Sequence, residues 1–131
     1  MSLETPLHRV QGLGAAHSGV KHFWRQRLTA LALIPLTVWF AWAALGLVGA
    51  SEAQTLYFIT QAAFGVPWNA ILLGTFVLIS VYHMVLGLQV VIDDYVHAEG
   101  GKLVLMLTVR AGAFIVAVVT LFALIRIAGT V

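Results

Sequence analysis

The chain has 131 residues, of which 61% are hydrophobic and only 9% are charged, and its formal net charge is +2. A soluble domain carries about 25% charged residues, so this composition excludes an ordinary soluble domain and indicates a small membrane protein with room for about three membrane-spanning helices. The chain contains no cysteine, which excludes disulfides, thiolate-bound metals and iron–sulfur clusters within it.

The N-terminal part of the chain divides into a polar tail and an apolar run. Residues 1–20 are polar, and we interpret them as a cytoplasmic tail ahead of a membrane-anchor domain formed by residues 21–131. An uncharged stretch predicts the first transmembrane helix at about residues 28–50. Basic residues, Arg25 and Arg27 among them, gather just before this span. We therefore interpret the positive charge as a topology signal and expect no binding to nucleic acid.

Arg27 is the basic residue nearest the first span, and it allows two interpretations. Thr29 and Ala30 follow it at the start of the apolar run. In the first interpretation the side chain extends to the lipid headgroups and only sets the topology. In the second it points inward and pairs with an anion, such as a haem propionate, or with a quinone oxygen.

The second span, at about residues 69–92, carries a histidine in an apolar setting. Before it, Ser51 and Gln54 have the spacing of a capping box and predict a short helix at the membrane interface. Within the span, Gly87 follows His83 by one helical turn on the same face. His83 either makes a hydrogen bond between helices or acts as a ligand, with the glycine letting a flat ring approach the helix.

The third span is predicted at about residues 103–127, where Ala113 and Ala117 have a spacing that favours close helix packing. Basic residues precede the first span and Lys102 lies in the second loop, whereas the first loop has none. This asymmetry predicts a cytoplasmic N-terminus and a periplasmic C-terminus. The predicted fold class is an all-α membrane protein with three transmembrane helices and a short interfacial helix between the first two. We expect it in a bacterial inner membrane, in contact with lipid.

Two patterns in the chain together resemble a known family. The first is His-Phe-Trp-Arg-Gln-Arg-Leu-Thr-Ala at residues 22–30, and the second is His83 followed, after the second span, by Asp94-Tyr95-Val96. This combination is similar to the small hydrophobic membrane-anchor subunit, the D subunit, of succinate dehydrogenase, which is respiratory complex II. The third span and the first loop match that family only in hydropathy.

The resemblance implies a role for four residues. His83 takes the position of an axial ligand to the iron of a b-type haem. Arg27 matches an arginine in the vicinity of the haem propionates and the quinone. Tyr95 takes the position of a tyrosine that hydrogen-bonds ubiquinone, and Asp94 is its neighbour in the quinone site.

The remaining histidines bear on how such a haem could be held. They all lie outside the predicted spans: His8, His17, His22 and His97. This chain therefore supplies one intramembrane imidazole, and a second axial ligand has to come from another chain. The resemblance implies that a cytochrome b subunit shares the haem.

The resemblance also implies a reaction and its partners. A flavoprotein subunit oxidises succinate, and an iron–sulfur subunit passes the electrons on. With the cytochrome b subunit, this chain forms the site where ubiquinone, the substrate, is reduced; no catalytic residue is assigned to it. Two alternatives stay open: an anchor of a quinol:fumarate reductase, and a haem-free structural anchor in which His83 only forms a hydrogen bond. The quinone type and the direction of the reaction are also left open.

Overall fold

Four helices make up nearly all of the chain that this computed structural model describes, namely residues 5, 18–62 and 66–129. They are α1 (Ser18–Gly46), α2 (Glu52–Thr60), α3 (Trp68–Tyr95) and α4 (Glu99–Ala128). By length and composition α1, α3 and α4 can each cross a membrane. The predicted fold class is confirmed, with the short α2 between the first two long helices.

Helix α1 is longer than the apolar run that predicts it. Its 29 residues correspond to about 44 Å at 1.5 Å per residue, whereas the hydrocarbon core of a bilayer is about 30 Å thick. The charged N-terminal turns, up to about Arg27, account for the excess. The helix continues through Pro35 and ends at Gly46, and Gly49 then adopts a left-handed φ of 79° in the turn that follows. Most of the predicted tail, residues 1–4 and 6–17, lies outside the described residues.

Helix α2 starts with the predicted capping box, which is confirmed. The backbone N–H of Ser51 donates to Oε1 of Gln54 at 2.8 Å, and the backbone N–H of Gln54 donates to Oγ of Ser51 at 3.3 Å. At its other end, Asn69 Nδ2 donates to the carbonyl oxygen of Phe58 at 2.7 Å. This bond ties α2 to the first turn of α3.

Helix α3 lies between α1 and α4 and packs against both, whereas α1 and α4 make no backbone contact with each other in the described residues. Phe40 of α1 stacks on Phe76 of α3 with ring centroids 4.7 Å apart. Gly74 packs closely against α4, since a Cβ placed there would lie 2.9 Å from Cδ1 of Leu124. The antiparallel arrangement brings the N-terminus of α1, the C-terminus of α3 and the N-terminus of α4 to one end of the molecule.

The chain buries very little apolar surface by itself. In the part of the chain that the structure describes, four hydrophobic residues are buried: Ala70, Leu86, Ile92 and Ala113. Large apolar side chains on all three long helices remain exposed, Trp42 at 81% among them. These faces are available to lipid or to the helices of other subunits.

Candidate functional site

His83 lies within α3 and faces α1. Its Nδ1 is 2.8 Å from the hydroxyl oxygen of Thr29, and the contact is partly buried. In the described part of the chain Nε2 has no hydrogen-bond partner. This nitrogen is not fully buried, so a group outside the chain can reach it. The histidine thus has one ring nitrogen held inside the protein and one facing outward.

The Thr29 hydroxyl also contacts the backbone of its own helix. Its oxygen lies 2.8 Å from the carbonyl oxygen of Arg25 and 3.0 Å from that of Gln26. A threonine inside a helix often donates its proton to the carbonyl three or four residues earlier. His83, Thr29 and the backbone of α1 therefore form one connected set of polar contacts.

Gly87 faces the side chain of Gln26. A Cβ on Gly87 would lie 3.7 Å from Nε2 of Gln26, which is an ordinary van der Waals distance. Gly87 also lines the cleft between the helices, so part of its surface meets Gln26 and part borders open space. The expectation that Gly87 lets a flat ring approach the helix stays a prediction.

A polar cleft of about 870 Å³ opens between α1, α3 and α4 beside this contact. The polar side chains in its lining are Lys21, His22, Arg25, Gln26, Gln89, Asp93 and Arg110. Two of these side chains carry a buried polar atom without a hydrogen-bond partner, namely His22 Nε2 and Gln26 Oε1. The cleft thus combines positive charge with unmet hydrogen-bonding capacity.

Arg27 is not among the residues that line this cleft. Its side chain is exposed, and its guanidinium carbon lies 5.0 Å from the centroid of the Phe23 ring, which is a cation–π distance. The arginine of α1 that lines the cleft is Arg25, two residues earlier, and Arg110 lines it from α4. Arg25 also contacts Thr29 through its backbone, since its carbonyl oxygen lies 2.8 Å from the Thr29 hydroxyl oxygen.

Asp94 and Tyr95 lie at the exposed C-terminal end of α3, and the Tyr95 side chain is 79% exposed. The carboxylate that forms an ion pair belongs to Asp93, whose Oδ1 is 2.5 Å from Nζ of Lys102. The described residues do not bring Tyr95 into contact with His83. A pocket that contained both would need walls from another subunit.

The sequence reasoning missed three residues on the face of α1 that meets α3. His22, Gln26 and Thr29 follow a spacing of four and then three residues, which places them on one side of a helix. This spacing is visible in the sequence, but it matters only if the helix begins well before the apolar run. His22 is also part of α1 because α1 begins at Ser18, ten residues before the predicted span.

Comparison with known proteins gives a consistent result. Residues 1–126 match the family described as "Succinate dehydrogenase/Fumarate reductase transmembrane subunit". A "Succinate dehydrogenase hydrophobic membrane anchor subunit" from Paracoccus denitrificans is 33% identical over 113 residues, which cover 86% of this chain and 84% of that protein.

Two further relatives agree. A protein of the same description from Rickettsia bellii is 31% identical over 116 residues, covering 84% of this chain and 89% of the relative. A "Succinate dehydrogenase membrane anchor subunit" from Reclinomonas americana is 28% identical, covering 71% and 76%. No solved structure matches the chain.

Proposed function

The chain belongs to the succinate dehydrogenase/fumarate reductase transmembrane subunit family, as a membrane-anchor subunit of succinate dehydrogenase, and we propose that it helps to bind a b-type haem and to form the site of ubiquinone reduction. The observation that carries the proposal is the intramembrane His83, whose Nε2 has no partner in the described part of the chain. His83 is the proposed axial ligand of the haem iron.

The residues around His83 fit a haem better than they fit a bare metal ion. Among the described residues no group of three or more His, Cys, Asp or Glu side chains could hold a metal. A bare ion needs about four protein ligands, whereas iron in a porphyrin needs protein groups only at its axial positions. When bound, the haem supplies one-electron redox chemistry. His83 would hold it from this chain, and a cytochrome b subunit would supply the second axial ligand.

Cations near the cytoplasmic end of α1 suit the carboxylates of a haem. Arg27 remains the arginine that we propose for the vicinity of the haem propionates or the quinone, on the family pattern. Arg25 is a second candidate, because it lines the polar cleft whereas Arg27 packs over Phe23. A guanidinium pairs with a carboxylate through two parallel hydrogen bonds, so either arginine has the required chemistry.

The proposed quinone contact is Tyr95, with Asp94 beside it. Quinone reduction adds two electrons and two protons, and a phenol can donate a hydrogen bond to the oxygen on which negative charge develops. An exposed position at the end of α3 suits a group that exchanges protons with water. Because this chain leaves Tyr95 uncovered, the remaining walls of the site would come from the cytochrome b and iron–sulfur subunits.

The exposed faces of the three long helices support a multi-subunit complex. A flavoprotein subunit would oxidise succinate, and an iron–sulfur subunit would carry the electrons to the membrane. The distribution of basic residues supports a bacterial inner membrane with the N-terminus in the cytoplasm and the C-terminus in the periplasm.

The test is a reduced-minus-oxidised absorption spectrum of the complex purified through this chain, with and without His83→Ala. The expected result is a b-type signal in the unsubstituted complex that is lost or shifted in His83→Ala. His97→Ala is the matched control, since His97 is an exposed histidine outside the helices. An unchanged haem spectrum in His83→Ala would rule out His83 as the ligand.

A complex that contains the flavin and iron–sulfur partners but no haem would support the alternative of a haem-free anchor. In that case the functional role of this chain would rest on Tyr95 and the quinone.

A further inference from the structure

The contact between Thr29 and His83 determines which ring nitrogen carries the proton. The Thr29 hydroxyl has a single proton, and its oxygen lies 2.8 Å and 3.0 Å from two backbone carbonyl oxygens. Carbonyl oxygens only accept, so these short distances are favourable only if the hydroxyl proton points at them. A hydroxyl that donated to His83 instead would leave its oxygen facing two other acceptors with no proton between them.

With its proton directed at the backbone, Thr29 presents a lone pair to His83. The distance of 2.8 Å between Oγ1 and Nδ1 then requires that Nδ1 carries the proton and donates it. In a neutral imidazole this leaves Nε2 unprotonated, with its lone pair directed away from α1. The order of donation runs from His83 to Thr29 and from Thr29 to the backbone of α1.

We propose that Thr29 is a positioning residue for the haem ligand: it fixes His83 in the tautomer whose Nε2 can bind iron and makes that nitrogen a stronger donor. This inference rests on the proposed haem site. A histidine that ligates a metal almost always donates its other N–H to a neighbouring acceptor, which fixes the ring and raises its basicity. Here the acceptor is itself a donor to the helix backbone, so the two bonds polarise each other.

The inference predicts the direction of a redox shift. A more electron-rich axial ligand stabilises ferric over ferrous iron. Thr29→Val keeps the shape of the side chain and removes the acceptor, so the preference for the ferric state falls and the midpoint potential of the haem rises. Losing an outer-shell partner typically costs about 10-fold to 100-fold, and we take the lower value for the preference of the site for ferric iron. A tenfold change in that preference equals a rise of about 59 mV in the midpoint potential of a one-electron couple.

The experiment is a redox titration of the haem absorption in the purified complex, with two further variants. Thr29→Ser keeps a hydroxyl that can make the same bonds, so it should stay near the unsubstituted potential. Thr108→Val is the matched control, because Thr108 of α4 donates to the carbonyl of Val104 at 2.8 Å in the same way but makes no hydrogen bond to a histidine among the described residues. It should leave the potential unchanged.

Each outcome decides the matter. A higher potential in Thr29→Val, with Thr29→Ser close to the unsubstituted complex, supports the proposal. An unchanged potential in Thr29→Val overturns it, and so does an equal shift in Thr29→Ser. If Thr29→Val loses its haem, retention of the haem by Thr29→Ser supports a role for the hydroxyl, and loss in both variants refutes it. Absence of haem from the unsubstituted complex would overturn the proposed function and this inference together, whereas an unaffected Thr29→Val with haem present overturns only the inference.

Discussion

Replacing Tyr95 with phenylalanine tests the proposed quinone site with little disturbance to the rest of the protein. The side chain is 79% exposed at the last residue of α3, and in the described part of the chain its hydroxyl makes no hydrogen bond. Removing one exposed oxygen should change stability by no more than about 0.5 kcal/mol. Any larger loss of function would therefore come from the quinone and not from misfolding.

The size of the expected effect follows from the charge on the quinone oxygen. A hydrogen bond to a charged group contributes about 1.5–3 kcal/mol. If that bond forms mainly as the quinone gains electrons, its loss lowers kcat/KM for quinone by about 10-fold to 150-fold, at 1.36 kcal/mol per factor of ten. The assay is succinate-driven quinone reduction, measured beside succinate oxidation with a water-soluble artificial electron acceptor.

The second assay bypasses the quinone site and should be unchanged if the complex is intact. Tyr57→Phe is the matched control, because Tyr57 is 67% exposed on α2 at the opposite end of the helices. If the complex with Tyr95→Phe had an unchanged kcat/KM for quinone reduction, Tyr95 would have no part in the site. If both assays fell together, the residue would act on assembly instead.

Two predictions concern the fold. Gly74→Val should lower the free energy of unfolding of the complex by about 1–3 kcal/mol, since a Cβ there already lies 2.9 Å from Leu124. Both variants would be compared by thermal denaturation, with Gly112→Val as the control because a Cβ at Gly112 meets open space. Equal losses of stability in the two variants would contradict the packing argument. Ser51→Ala should remove the capping contact with Gln54, worth about 1 kcal/mol, and speed hydrogen exchange in α2 about fivefold. Unchanged exchange would mean that contacts with α3 hold α2 without its cap.

Composition and local pattern were enough to predict the helices. An uncharged run long enough to cross a bilayer leaves a helix as the favoured structure, because backbone groups in lipid have to be satisfied within the segment. The capping box at Ser51 was predictable for a similar reason, since both of its partners lie within four residues. The start of α1 was less predictable, because charged turns beyond the membrane carry no hydropathy signal.

The surroundings of His83 depend on the packing of two helices and could not be read from either one alone. The spacing of His83 and Gly87 predicted a shared face, but only the packed structure shows that Gln26 lies beside the glycine and that Thr29 contacts the imidazole. The sequence also drew attention to Arg27 because it borders the apolar run. A shift of two residues turns a helical side chain by about 200°, so Arg25 reaches the cleft and Arg27 does not.

Helix α3 lies between α1 and α4, which make no backbone contact with each other in the described residues, and this arrangement has a consequence for how the chain is inserted into the membrane. Helix α3 packs on α1, and α4 packs on α3, so each of these two helices has a partner already in the membrane when it is inserted. Contacts between neighbours in sequence form quickly, because little chain entropy is lost in bringing them together. The short α2 contacts α3 and α4, both of which are synthesised after it. Insertion in the order of synthesis can thus build the helix layer stepwise, and only the docking of other subunits requires a search between separate chains.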